Sequence, residues 1–235
     1  MTEYLITSEE RSVMYQLLAS FYLQTPTSEK IKLEYEMLVD AKEIFTDVNF
    51  DDLIEEAKDR FERINENADY IKEIQLEYYD HIFTPISPYF IPPYESSIIG
   101  ARKSKKANKK SKGGWDYNTS SGSILLNVEL AYQTVGFAPS KLNVGEELKK
   151  TKKIDHLGFE LAFMAFLNEQ EEESEENINW HRLQTLFLND HLKNFIQKYK
   201  EISLEKSKRF YSNLSIVTES FIKWDLDSRE VQEVN

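Results

Sequence analysis

The chain contains no cysteine. That excludes disulfides, iron–sulfur ligation and thiol nucleophiles, and it fits a reducing compartment. Glycine and proline are scarce, 7 and 6 in 235 residues, too few for the many turns of a β-sandwich. Basic charge is short as well: 29 Lys and Arg face 41 Asp and Glu, for a formal charge of -12. A nucleic-acid binder needs a net basic footprint, so this balance argues against one and favours basic partners. No apolar run approaches the roughly 20 residues needed to span a bilayer. Met1 is followed by Thr2, Glu3 and Tyr4, not by a basic segment and an apolar core. No secretion signal is therefore expected, and the expected location is the cytoplasm. With four histidines, no H-x-x-x-H pair, no P-loop and no G-x-G-x-x-G, the usual signatures of zinc and phosphate sites are missing.

What is present is helical periodicity. Thr7-Ser8-Glu9-Glu10 has the spacing of a capping box and opens a helix with Met14, Leu17, Leu18 and Phe21 in phase. Thr25-Pro26 closes it, because the residue before proline is pushed out of the helical region. Helices follow from Ser28, from Asp51, and from about Asp69 to Phe83. They resume at Ser120, at Ile154 to about Asn168, at Trp180 to Leu188, at His191 to Lys200, and at Ser207 to Leu226. The expected fold is all-α: one bundle domain over residues 1–235, of eight to ten helices, with a proline-rich hinge loop in mid-chain. The acidic Glu169–Glu176 stretch reads as a solvated loop. Arg102 to Gly114 carries lysines without apolar residues, so it has nothing to bury and is expected to be disordered. Residues 227–235 read as a flexible tail.

Two stretches stand out for function. From Thr84 to Ser97 the chain places Pro85, Pro88, Pro92 and Pro93 among Tyr89, Phe90 and Tyr94. Regular helix is impossible there, since each proline lacks a donor and clashes with the preceding turn. The segment is either a packed loop or a preorganised aromatic groove for an apolar peptide. The second stretch, Asp155-His156, opens the most apolar helix. It is either a helix cap beside a buried imidazole or a polar anchor for a ligand. A rival reading makes the protein an all-α metal-dependent hydrolase acting through Asp155 and His156. No Ser, Cys or Lys motif marks a nucleophile for it.

At these residues the chain resembles the TorD/DmsD/NarJ family of molybdoenzyme maturation chaperones. The carrying residues are Tyr79-Asp80-His81-Ile82-Phe83-Thr84-Pro85, Pro92-Pro93-Tyr94-Glu95-Ser96, Ile154-Asp155-His156-Leu157-Gly158 and Phe187-Leu188-Asn189-Asp190-His191-Leu192, with Ser20-Phe21-Tyr22 before Pro26. His81, Thr84 and Ile154 stand where the family has Arg, Gly and Pro. The resemblance implies an all-helical, non-enzymatic, cytoplasmic chaperone, monomeric or domain-swapped through the hinge, with no cofactor of its own. Its implied partner is the catalytic subunit of a molybdopterin oxidoreductase, of formate dehydrogenase or DMSO/TMAO reductase type. The chaperone would hold the apo form and its twin-arginine leader until the cofactor is inserted. A weak contact with a guanine nucleotide or with molybdopterin guanine dinucleotide is also implied. Carried over residue by residue, Tyr22, Tyr79, Ile82, Phe83, Pro93, Tyr94, Asp155 and His156 would line the leader site.

Overall fold

The computed structural model describes residues 6–104, 114–118, 122–151, 153–173, 178–207 and 209–234. Helix α1 (Ser8–Leu23) starts with the capping box that its spacing predicts. Glu10 N–H donates to Thr7 Oγ1 at 3.1 Å, and Thr7 N–H donates to the Glu10 carboxylate at 2.8 Å. After Pro26, Thr27 caps α2 (Ser28–Ile44), and α3 (Asp51–Glu66) and α4 (Tyr70–Ile82) follow. The proline-rich connection leads to a single turn, α5 (Glu95–Ile98), and to β1 (Arg102–Lys103), which pairs antiparallel with β2 (Trp115–Asp116). Next come α6 (Gly122–Thr134), the short α7 (Glu146–Lys149), α8 (Leu157–Glu173) and α9 (Trp180–Phe187). A π-helical turn at Leu188–Leu192 joins α9 to α10 (Lys193–Lys206), and α11 (Arg209–Val234) ends the fold. Among the described residues nine helices have eight residues or more, so the all-α expectation holds.

Helix α1 packs along α8 in the middle of the bundle, while α10 pairs with α11 and α2 with α3. Aromatic edges fill the centre: Tyr15 meets Phe221 at 4.9 Å between centroids, and Phe163 meets Phe187 at 4.7 Å. The disorder expected from Arg102 to Gly114 concerns mainly residues 105–113, which lie outside the described residues. At its near end, Lys103 Nζ donates to Glu205 Oε1 at 2.6 Å, and Trp115 Nε1 just beyond donates to Glu205 Oε2 at 3.1 Å. Both contacts fasten the ladder to α10.

Two boundary expectations are corrected. The acidic stretch does not leave the helix at Glu169, because α8 continues to Glu173. Its carboxylates find donors: Ser12 reaches Glu169 at 3.2 Å and Ser8 reaches Glu171 at 2.6 Å, both from α1. Nor is residue 227 the start of a loose tail, since α11 runs to Val234. The reason is Arg229, which has no exposed surface. Its Nε and Nη2 donate to the two oxygens of Asp225 at 3.0 and 3.1 Å, Nη1 donates to Gln184, and Nη2 donates to Asn168 at 3.2 Å. Arg11 Nε pairs with the same carboxylate at 3.1 Å, and Tyr15 donates to it at 2.7 Å. One network thus ties α1, α8, α9 and α11 together.

A buried ion network of this kind tolerates badly the loss of one member, because the remaining charges stay desolvated. Arg229→Met is expected to cost about 3–5 kcal/mol in urea unfolding at unchanged m-value. A chain cut after Asp227 should lose as much. An unaltered midpoint in the truncated chain would show that the end of α11 is an appendage.

Candidate functional site

A segment with proline at positions 85, 88, 92 and 93 closes only short turns on itself, Ser87 N–H to Thr84 C=O and Phe90 N–H to Ser87 C=O, so its buried end must pair elsewhere. The first partner is the end of α4, where Ile91 N–H donates to His81 C=O at 3.1 Å. Lys206 Nζ on α10 then donates to Phe90 C=O at 2.7 Å. Further bonds come from residues 155–157. Leu157 N–H donates to Pro93 C=O at 2.8 Å, Glu95 N–H donates to Asp155 C=O at 2.9 Å, and Tyr94 and His156 form an antiparallel bridge. Asp155 Oδ2 accepts Ser96 N–H at 2.9 Å and so caps the first turn of α5 from outside it. His156 Nδ1 accepts Gly158 N–H at 3.1 Å, which places the ring proton on Nε2 and caps α8.

Gly158 sets how closely α8 meets α1. A Cβ there would lie 2.5 Å from Leu23 Cγ and 3.1 Å from Tyr22 Cβ, so only glycine permits this crossing. Tyr22 is thereby brought behind the junction, with its ring 6.1 Å from Tyr199. Tyr78 OH donates to Tyr22 C=O at 3.3 Å, and its ring touches both Tyr79 and Phe83 with centroids 5.5 Å away. The structure therefore brings the two sequence stretches into contact and links Tyr79 and Phe83 to them through Tyr78 and Tyr22.

Depth separates the eight predicted residues. Tyr22, Ile82, Pro93, Asp155 and His156 are buried, whereas Tyr79, Phe83 and Tyr94 are half-exposed. The Tyr94 ring lies edge-on over His156 at 5.5 Å, with Lys153 Nζ 4.8 Å from its centre. Asp155 does not stand free for a cationic ligand, since Oδ2 is committed to Ser96 and the residue has no exposed surface. His81 is buried against Tyr211 with ring centroids at 4.2 Å, and burial pushes its pKa down to about 3. His156, sealed as completely, is likewise pushed by burial to about 3. Both imidazoles are neutral parts of the framework.

Sequence reasoning missed a set of carboxylates beside this junction. Glu160 on α8 has no exposed surface, and neither of its oxygens has a hydrogen-bond partner among the described residues. Burial holds its carboxyl protonated well above the ordinary range, reinforced by the charges of Glu95 and Asp155. Glu95 is raised by burial too, while His191 pulls it back through a 2.9 Å contact between Nδ1 and Glu95 Oε2. A signal was available in the sequence: Glu160 is a lone acid inside the apolar run Leu157–Leu167.

The hydrolase reading gains nothing from this geometry. Asp155 and His156 serve backbone amides, and among the described residues no group of three or more His, Asp or Glu is arranged to hold a metal ion. Among the same residues no helix is long and apolar enough to cross a membrane. A family model described as nitrate reductase delta subunit matches residues 47–200. No curated protein and no solved structure shows a significant match.

The buried groups give stability a pH dependence of two signs. The unfolded chain protonates His81 and His156 below about pH 6.5, but the folded chain does so only near 3, so acidification through that window destabilises. Glu160 acts oppositely: its folded carboxyl keeps its proton when the unfolded one ionises above about 4.3, so stability is lost as pH rises. Glu160→Gln should therefore match the parent near pH 4 and exceed it by more than about 1 kcal/mol near pH 8. Parallel urea-midpoint profiles for the two proteins would contradict the buried, protonated assignment.

Proposed function

We propose a client and a mode of action for this chain, which belongs to the nitrate reductase delta subunit family of molybdoenzyme maturation chaperones. It acts in the cytoplasm, without catalysis, on the apo catalytic subunit of a molybdopterin oxidoreductase of formate dehydrogenase or DMSO/TMAO reductase type. It holds that subunit by its twin-arginine leader until the cofactor is inserted. The observation that carries this reading is the junction of residues 93–96 with 155–157, which presents Tyr94 at the surface on a backbone held from both sides.

A leader has a basic front and an apolar stretch. A chain of net charge -12 with half-exposed rings at Tyr79, Phe83 and Tyr94 complements both parts. In this reading those three rings touch the leader, while Tyr22, Ile82, Pro93, Asp155 and His156 hold them in place. Burying about 400 Å² of apolar leader surface contributes roughly 10 kcal/mol gross. Ordering the peptide and lost translational freedom offset most of it, which leaves a releasable complex. Release is what a maturation chaperone needs.

Isothermal calorimetry with leader peptides of molybdoenzymes tests the proposal. Tyr94→Ala should weaken leader binding about tenfold with thermal stability nearly intact. Asp155→Ala should instead lower stability by about 1–2 kcal/mol, because Ser96 N–H loses its acceptor. No binding of any leader by the parent protein, together with normal molybdoenzyme activity in a strain lacking it, would refute the proposal.

A further inference from the structure

A groove of about 600 Å³ opens between α5, α6 and the π-helical turn with α10, within the size range of peptide and small-molecule sites. Its floor is Glu95, only 3% exposed. One carboxylate oxygen, Oε2, is engaged by His191 at 2.9 Å; Oε1 has no hydrogen-bond partner among the described residues. Asp190, one residue before His191 on the π turn, is exposed at the same groove and also has no partner there. The cation in the wall, Lys198, is already occupied: Nζ donates to Glu201 at 2.6 Å and lies 4.6 Å from the centre of the Trp115 ring. Ile99 and Ile124 supply an apolar side.

Three features point to a ligand and to its charge. The groove holds two acidic side chains, the exposed Asp190 and the almost wholly desolvated Glu95, which His191 engages at one oxygen only, so a cation is favoured and an anion repelled. A half-used buried carboxylate matches the planar, multi-donor guanidinium better than a point-charge ammonium. The π turn widens the helix where His191 and Asp190 both serve the groove, an irregularity that commonly accompanies functional sites. The aliphatic stem of an arginine has Ile99 and Ile124 to lie against.

We infer that this groove receives a guanidinium group from a basic segment of the client polypeptide, with Glu95 as the buried acceptor and Asp190 at the rim. The inference rests on the leader-binding reading and adds to it the residues that read the basic part. His191 is a positioning residue: it holds one oxygen of Glu95 and leaves the other turned to the ligand.

The test is a binding matrix by calorimetry at low salt. One axis carries two synthetic peptides, each with an apolar stretch of about ten residues, preceded by Arg-Arg in one and by Gln-Gln in the other. The other axis carries the parent protein, Glu95→Gln and Asp190→Asn. The parent should prefer the arginine peptide by about tenfold or more. Glu95→Gln should abolish that preference while keeping the affinity for the glutamine peptide, and Asp190→Asn should reduce it. Asp190 is exposed, so its variant stays informative even if Glu95→Gln fails to fold. Undiminished arginine preference in Asp190→Asn and in any folded Glu95→Gln overturns this inference alone. No binding of either peptide by the parent overturns it together with the leader reading.

Discussion

A chain segment rich in proline has few donors of its own and cannot coil, yet here its end, residues 91–93, is buried in the interior. That constraint organises the centre of the molecule. Pro92 and Pro93 are buried, so the amides and carbonyls around them must be matched by another segment. Residues 155–157 supply the match, through the two backbone hydrogen bonds of the Tyr94–His156 bridge and the Asp155 side chain. The same few residues start α5 and α8, so one junction fixes the direction of two helices and the placing of Tyr94. Gly158 then brings α1 close enough to α8 to seal the junction from behind.

Two clusters of buried ionisable groups are built on opposite terms. Around Asp225 one carboxylate is shared by the guanidinium groups of Arg11 and Arg229, and every arm of Arg229 has an acceptor, as expected of a structural network. Around Glu160 and Glu95 the acids crowd one another: Glu160 is held protonated, and His191 relieves Glu95. A cluster so poorly compensated opposes stability at neutral pH. Of this cluster Glu95 borders an open groove, whereas the network around Asp225 is shut in the core.

In the proposed reading, the net charge, the half-exposed rings and the acidic groove complement a partner that is both basic and apolar. A maturation chaperone in the nitrate reductase delta subunit family has use for such a surface, because its clients are polypeptides that must be held and then let go. On that reading, recognition by charge and by a few anchored rings would give specificity without the large dry interface that makes release slow.

Composition and local pattern were enough for the all-α class, the start of α1 at its capping box, the break at Pro26 and the meeting of the proline-rich stretch with Asp155-His156. These follow from short-range physics, namely caps, proline geometry and apolar spacing, together with a resemblance in ordered motifs. Depth was not legible. Whether Asp155 faces solvent or an amide depends on residues some 60 positions away, and nothing local records it. The same holds for Glu169 and Arg229, which read as loop and tail by composition but are helical because α1, α8 and α11 supply partners for them. The sequence alone determined most of the helical segments and singled out the two stretches that the fold joins. Only the tertiary structure decided which of them are sealed, which carboxylates stay unpaired and where a groove remains open, because burial is a property of distant segments packed together.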